Sequence, residues 1–132
     1  MRKTVFVTAL LAMSCSAFAG EEVATVLTGS RLKEAVSGKT IYLMTPIGSE
    51  IPIRYKPDGT MSGSSSPSLA ALAGESVSAD TGRWWVVREQ LCQQWKNWAD
   101  SRSHCYKLRS TGSNVVWKRN DGQSGTARIA SK

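Results

Sequence analysis

The stretch RWWVVREQLCQQW, residues 83–95, decides the fold of this chain. Its first part, 83–88, is apolar at every internal position, which predicts a strand covered on both faces. Its second part, 91–95, predicts the returning strand of a hairpin. Successive side chains of a strand point to opposite faces. We therefore expect one of Trp84 and Trp85 in the core and the other on a covered or ligand-facing surface.

Upstream of this hairpin, the chain carries further strand-like segments. Residues 40–45 form one candidate, and 51–55 alternate apolar with polar side chains. Pro52 lacks a backbone donor, which favours an edge position for the second of these strands. Pro57-Asp58-Gly59 is a strong turn signal, so residues 60–63 are predicted to return as a hairpin partner.

Helical patterns are few in this sequence. Residues 31–36 predict one short helix, with a cap at Thr28 and an end at Gly38. Residues 62–79 are small, polar and rich in Ser and Ala, and we interpret them as a long flexible loop. Within that loop, residues 69–74 are compatible with a brief helical turn or a flap.

The rest of the chain again contains short segments with the pattern of β-strands. Asp80-Thr81-Gly82 is interpreted as a turn before the central hairpin, and residues 97–104 as a polar loop after it. Further strands are predicted at 105–109, 114–119 and 126–130. Seven or eight short strands at intervals of about ten residues are typical of a small antiparallel meander. The fold class predicted is mainly β: a meander barrel or sandwich, lipocalin-like or a half-barrel, with one short N-terminal helix.

The N-terminus has the pattern of an export signal. Arg2 and Lys3 precede a short apolar run over residues 4–14, and Ala17-Phe18-Ala19 is a typical cleavage site. The run is too short for a membrane span, which needs about 20 residues. The prediction is a signal peptide over 1–19 and a single periplasmic or secreted domain over 20–132. Lipidation of Cys15 is the alternative, although the residues before it match a lipidation site poorly.

Removal of residues 1–19 leaves two cysteines, Cys92 and Cys105. In an oxidising compartment, such a pair predicts one disulfide. Closing a loop of this length stabilises a fold by about 3 kcal/mol on the chain-entropy model. One cysteine pair with His104 as the chain's single histidine does not match a zinc site, so no metal or other cofactor is expected.

Catalytic constellations are weak throughout the chain. Asp80-Thr81-Gly82 matches the aspartic-protease tripeptide, but the preceding residues do not read as the apolar strand that this chemistry requires. The serines at 64–66 have no nearby base, because the one histidine lies far along the chain. An enzyme is therefore not expected. A small hydrolase using carboxylates such as Asp80 and Glu89 is the least favoured alternative.

All five tryptophans, Trp84, Trp85, Trp95, Trp98 and Trp117, lie in the second half of the chain, which is also basic. Residues 83–132 have a net charge of +7, whereas residues 20–82 have a net charge of −2. We expect most of these rings in the core and Trp98, in the polar loop, to be the most exposed. The candidate ligand surface comprises Arg83, Trp85, Lys96, Trp98 and Arg102.

A basic aromatic surface suits an anionic partner. Anionic polysaccharide, lipid headgroups or an acidic protein fit this charge. Nucleic acid fits the electrostatics but not the export signal, so no nucleic acid is expected.

Several short motifs follow one another in a pattern that resembles a family of short exported bacterial proteins of unknown function. They are Asp58-Gly59-Thr60, Asp80-x-Gly82-x-Trp84-x-Val86, Leu91-Cys92-x-x-Trp95 and Cys105-Tyr106. The resemblance covers roughly residues 28–129 and implies an exported β domain with its cysteines bonded. It supplies no catalytic residues.

A looser similarity links the chain to small secreted β-barrel inhibitors with one disulfide. Those directed at lysozyme face a basic enzyme, and a net charge of +5 for residues 20–132 disfavours that target. The leading functional hypothesis is a non-enzymatic binding or envelope-associated module. A protease-type inhibitor is the alternative.

Overall fold

The computed structural model describes residues 24–130 and shows a mainly β chain. In chain order the elements are β1 (Thr25–Val26), α1 (Gly29–Val36), β2 (Lys39–Met44), β3 (Glu50–Tyr55), β4 (Thr60–Ser64), α2 (Pro67–Leu72), β5 (Ala79–Val87), β6 (Gln90–Trp95), a 3-10 segment (Trp98–Ser101), β7 (Ser103–Thr111), β8 (Asn114–Arg119) and β9 (Ser124–Ala130). The predicted signal peptide over residues 1–19, with Cys15, lies outside the described residues.

Strands β2 to β9 pair antiparallel in chain order, and β9 pairs with β2 to close a barrel of eight strands. In the closing ladder, Ile41 lies opposite Ile129 and Leu43 opposite Ala127. The predicted meander barrel is confirmed. The predicted edge position of Pro52 is wrong, because β3 pairs with both β2 and β4. The β4 ladder reaches only as far as Ile53, so the proline lies beyond its end.

Helix α1 covers one end of the barrel, which we call the closed end. Leu32 and Val36 are fully buried there. Backbone hydrogen bonds fix both ends of the helix: the amide of Gly29 donates to Arg88 O and that of Gly38 to Tyr55 O, each at 2.8 Å. The predicted helix is confirmed, and it starts two residues earlier than the pattern indicated. The β2–β3 loop, the β4–β5 segment with α2, and the 3-10 segment lie at the opposite, open end.

The central hairpin has the predicted sidedness. Trp84 is buried inside the barrel, and its indole Nε1 donates to Lys56 O at 2.9 Å. Trp85 lies on the outer wall and is half-buried. Opposite it in the ladder is Cys92, which is bonded to Cys105 directly across from it on β7. The predicted disulfide is confirmed.

Two segments differ from the sequence-based expectation. Asp80-Thr81-Gly82 is not a turn but lies inside β5. Gly82 serves packing rather than a bend, because a Cβ there would overlap the carbonyl oxygen of Gln94. The segment interpreted as a loop over 62–79 contains the end of β4 and helix α2, which Ser66 caps by accepting a hydrogen bond from the Leu69 amide at 3.1 Å.

Candidate functional site

Four of the five predicted surface residues lie on the outside of the barrel. The Arg83 guanidinium carbon lies 5.6 Å from the centre of the Trp85 ring, and the same side chain donates to Gln94 Oε1 at 3.0 Å. Arg83 and Lys96 line one shallow depression in the outer wall. Arg102 is exposed after the 3-10 segment and is not part of that depression.

Trp98 is not an exposed ring, and this prediction was wrong. Its side chain is buried with 8% exposure, and its ring centre lies 4.8 Å from that of Trp95. Its Nε1 donates to Val77 O at 2.8 Å. A Cβ on Gly63 would come within 2.6 Å of the ring, so the space is filled on that side too. Trp98 therefore belongs to the core and is unavailable as a ligand platform.

Asp80 explains why a tryptophan in a polar loop is buried. Its carboxylate accepts hydrogen bonds from the backbone amides of Asn97 and Trp98, at 2.7 and 2.8 Å, and from Asn97 Nδ2 at 3.1 Å. Burial acts to raise the pKa of Asp80, but these donors outweigh it and hold the pKa below its usual value. Asp80 is thus a structural anchor that stays charged and pulls the 3-10 segment onto the barrel.

The anchored segment has a strained backbone. Ala99, Asp100 and Ser101 have φ values of 55°, 55° and 58°, in the left-handed region that disfavours side chains with a Cβ. Glu75 Oε1 accepts from the Ala99 amide at 3.0 Å, and Ser101 Oγ donates to Lys96 O at 2.6 Å. Such strain persists only where surrounding contacts hold the backbone in place. Here the hydrogen bonds to Glu75 and to Lys96 O provide those contacts.

The interior of the barrel divides into two regions. The first, which we call the filled half, is the interior beside β4, β5 and β6. Packed side chains occupy it: Met61, Trp84, Trp95 and Trp98. The second, the hollow half, is the interior beside β2, β3 and β7 to β9, and it extends to Leu91 and Gln93 on β6. It encloses a cavity of about 650 Å³.

Aliphatic side chains form most of the cavity wall. The main apolar lining residues are Ile41, Leu43, Ile53, Leu108, Val115 and Ala127. Eight-stranded barrels are just wide enough to be filled by side chains or to hold one small ligand. Because these residues are smaller than the tryptophans of the filled half, they leave space of the volume typical for ligand pockets.

A short row of polar groups interrupts this apolar wall. Tyr55 and Gln93 are both buried, and the Tyr55 hydroxyl donates to Gln93 Oε1 at 2.7 Å. Burial raises the pKa of Tyr55 and of Tyr106; for Tyr106 the nearby Arg119 and Gln93 side chains oppose the rise only in part. Both phenols therefore keep their protons at neutral pH.

Arg119 ends this row at the open end. It forms two hydrogen bonds to Asp121, from Nε to Oδ1 at 2.9 Å and from Nη2 to Oδ2. Arg119 lowers the pKa of Asp121 to about 2. Nearby, burial and then the Arg119 charge lower the pKa of His104. The Arg119 side chain is 17% exposed and also lines the cavity, so it lies at the junction of cavity and solvent.

Trp117 lies between the cavity and β9. Its ring packs edge-on to Tyr106, with centres 5.5 Å apart, and a Cβ on Gly125 would come within 2.5 Å of it. The indole Nε1 is buried and finds no hydrogen-bond acceptor within residues 24–130. A buried donor without an acceptor costs about 1–3 kcal/mol. An acceptor atom placed in the cavity beside Trp117 would remove this cost.

The mouth of the cavity has an apolar rim. Met44, Pro46 and Ala73 line it, from the β2–β3 loop on one side and the end of α2 on the other. Ile47 and Leu72, in the same two segments, are 67% and 74% exposed. An apolar molecule would therefore meet apolar side chains before it enters the barrel.

The structure gives no support to the carboxylate pair Asp80 and Glu89. They are separated by most of β5, roughly 23 Å at about 3.3 Å per residue, whereas paired catalytic carboxylates lie within about 10 Å. Glu89 instead forms an exposed ion pair with Lys107 at 3.4 Å. Across residues 24–130, no group of three or more His, Cys, Asp or Glu side chains is arranged to hold a metal ion.

Sequence reasoning missed the polar groups that face the cavity. Gln93, Tyr106 and Arg119 each alternate with buried apolar residues on their own strands. The sequence signal for such a residue is a polar side chain at the same face of a strand as buried apolar residues. Gln93, between Leu91 and Trp95 on one face of β6, is an example.

Two further findings complete the description of the site. Among residues 24–130, no helix is both long and apolar enough to cross a membrane. Comparisons with protein-family models, with curated proteins and with solved structures give no match to this chain.

Proposed function

We propose that this chain is a non-enzymatic binding module that holds a small, largely apolar molecule in the hollow half of its barrel. The observation that carries the proposal is the cavity of about 650 Å³ next to a region of the same interior that is densely packed. A barrel that needed only stability would gain from filling that space, since voids weaken a core. The apolar lining, the few polar groups and the open rim are those of a small-molecule site.

The proposal includes export to the periplasm or beyond, after cleavage near Ala19. The Cys92–Cys105 disulfide supports an oxidising compartment. An envelope partner would meet the outer wall rather than the cavity. Because the strands follow chain order around the barrel, the basic part of the chain forms a continuous arc from β5 to β9. Arg83, Trp85, Lys96 and Arg102 lie on this arc or beside it, where anionic polysaccharide, lipid headgroups or an acidic protein would bind.

A second candidate function is enzyme inhibition of the protease type. The observation that favours it is the strained 3-10 segment, which Asp80 and Glu75 hold rigid at the open end. A pre-organised loop binds with a smaller entropic cost than a flexible one. Incubation with a panel of envelope and host proteases tests this idea, and a stable stoichiometric complex would support it.

The cavity proposal is tested by filling the cavity. Ala127 is buried in the cavity wall, so the larger side chain of Ala127→Phe should occupy ligand space without exposing core. The probe is a neutral naphthalene fluorophore whose emission rises in apolar surroundings. We expect saturable binding to the wild-type protein and at least tenfold weaker binding to the variant.

The matched control is Val116→Phe, which adds the same ring to an outward position that is 53% exposed. Circular dichroism and thermal melts check that both variants are folded. Binding that is equal in the two variants, or no saturable binding to the wild-type protein, would reject the cavity as the ligand site.

A further inference from the structure

The polar groups that face the cavity are mostly hydrogen-bond donors. Gln93 Oε1 already accepts from Tyr55, so the side chain turns its amide group toward the Tyr106 side of the cavity. Tyr106 keeps its proton, and Trp117 Nε1 has no acceptor within the part of the chain described. These three side chains therefore offer donors to a ligand.

Arg119 adds further donors to the same place. A guanidinium has five N–H groups, of which the two bonds to Asp121 use two. The Asp121 carboxylate is already engaged as an acceptor, because its Oδ1 accepts from the Gln123 amide at 3.1 Å as well as from Arg119. Gln93 and Arg119 also face the Tyr106 hydroxyl oxygen, which is an acceptor. The remaining N–H groups of Gln93, Trp117 and Arg119 still exceed the free acceptors at this end of the cavity, so a ligand that satisfies them must bring acceptor oxygens.

We propose that the ligand is an amphipathic carboxylic acid. Its carboxylate accepts hydrogen bonds from Gln93, Tyr106 and Arg119, and its apolar body lies against Ile41, Leu108 and Val115. This inference rests on the proposed function, since it assumes that the cavity binds a small molecule. It adds the chemical class of that molecule and the residues that recognise its head group.

Charge favours a monoanion over a phosphate. Asp121 already shares the charge of Arg119, so the pair together is near neutral. A doubly charged phosphate monoester would place its second charge beside Asp121 without compensation. A carboxylate has two acceptor oxygens in the planar geometry that a guanidinium fork matches. A protonated amine is only a donor, so it cannot accept from the Gln93, Tyr106 and Arg119 donors, and it should bind most weakly.

The test uses a set of linear compounds of equal chain length: a carboxylic acid, its primary alcohol and its primary amine. Each competes with the neutral naphthalene fluorophore for the wild-type protein. We expect the acid to bind at least tenfold more tightly than the alcohol, and the amine to bind worst. Equal affinity for the acid and the alcohol would overturn the inference and leave the cavity proposal standing. Failure of all compounds and of the fluorophore would instead reject the cavity proposal.

Variants at the head-group site locate the effect. Arg119→Gln should weaken acid binding about tenfold and alcohol binding much less, because only the acid carries a charge that pairs with the guanidinium. The matched control is Lys118→Gln, which removes the same charge from the exposed neighbouring position on the outer wall and should change neither. A similar loss of acid binding in both variants would show a general charge effect and overturn the assignment.

Asp121→Asn gives a second measurement that does not depend on removing the arginine. Without the competing carboxylate, Arg119 should bind the acid about threefold more tightly, with a smaller change for the alcohol. Weaker acid binding in Asp121→Asn would contradict the proposed role of Arg119.

Discussion

The filled and hollow halves of the barrel interior are built from strands of the same meander, yet large side chains pack one of them and a cavity remains in the other. In the filled half, Trp84, Trp95 and Trp98 occupy space inside the barrel, and Gly63 makes room for the rings of Trp95 and Trp98. In the hollow half, side chains no larger than Leu and Ile line most of the wall, and a cavity remains. One core thus contains a packed region, which stabilises the fold, and a cavity, which we propose to be the binding site. Substitutions that change side-chain volume should therefore cost more stability in the filled half than in the hollow half.

The largest contrast is expected between two tryptophans. Trp98→Ala should destabilise the protein by about 4 kcal/mol, because it removes a buried ring packed on Trp95 and Gly63. Trp117→Ala should cost about 2 kcal/mol, since its ring borders a cavity and its Nε1 lacks an acceptor. Urea unfolding followed by circular dichroism measures both values. Equal losses would mean that the hollow half is packed as tightly as the filled half.

The next contrast compares one carboxylate from each half. Asp80→Ala should cost about 3 kcal/mol, because three donors of the 3-10 segment lose their acceptor. Asp121→Ala, at the mouth of the cavity, removes an exposed ion pair and should cost less than about 1 kcal/mol. Amide hydrogen exchange adds a local readout: protection at Asn97 and Trp98 should fall in the first variant only. Unchanged protection there would show that Asp80 does not anchor the segment.

A third contrast adds one methyl group to a glycine in each half. At Gly63 a Cβ would lie 2.6 Å from Trp98 and 2.9 Å from Trp95, which are packed against each other. Gly63→Ala should therefore cost about 2 kcal/mol by overpacking. At Gly125 the overlap is with the Trp117 ring, which can move toward the cavity, so Gly125→Ala should cost less than about 1 kcal/mol. Thermal melts of the two variants compare the values, and a larger loss for Gly125→Ala would contradict the assigned cavity.

Much of this fold follows from local sequence patterns. The apolar run and its return over 83–95, the turn at Asp58-Gly59 and the even spacing of strands predicted a meander barrel, which the structure shows. These features depend on neighbouring residues, and local patterns record them well. The Cys92–Cys105 bond was predictable for a similar reason, since only two cysteines remain after the predicted signal peptide.

The candidate site was harder to predict because it depends on residues far apart in the chain. Trp98 was expected at the surface because its neighbours are polar, but Asp80, 18 positions away, holds its backbone inside. The cavity is a sum of side-chain volumes over six or more strands, which no single stretch encodes. The donor row of Gln93, Tyr106 and Arg119 needs the register of three strands, and that register emerges only when the barrel closes.

The smallest contrast concerns pH, and it separates the two halves by the titration of one group in each. In the hollow half, His104 has a pKa below its ordinary value of 6.5, so the unfolded chain binds this proton more readily than the folded protein. Stability should be constant above about pH 7.5 and should decline as the pH falls through 6.5 and below.

In the filled half, the pKa of Asp80 lies below 3.8, so its contribution to stability is present above pH 3.8 and is lost on further acidification. Asp58 and Asp121 also have lowered pKa values and add to this second, acidic decline in stability.

Melting temperatures measured from pH 8 to pH 3 should thus show two declines. His104→Gln should remove the first and Asp80→Asn should reduce the second, whereas a first decline that persists in His104→Gln would assign it to another group. The separation arises because burial and the Arg119 charge disfavour the imidazolium at the cavity mouth, while backbone amides favour the carboxylate that anchors the 3-10 segment.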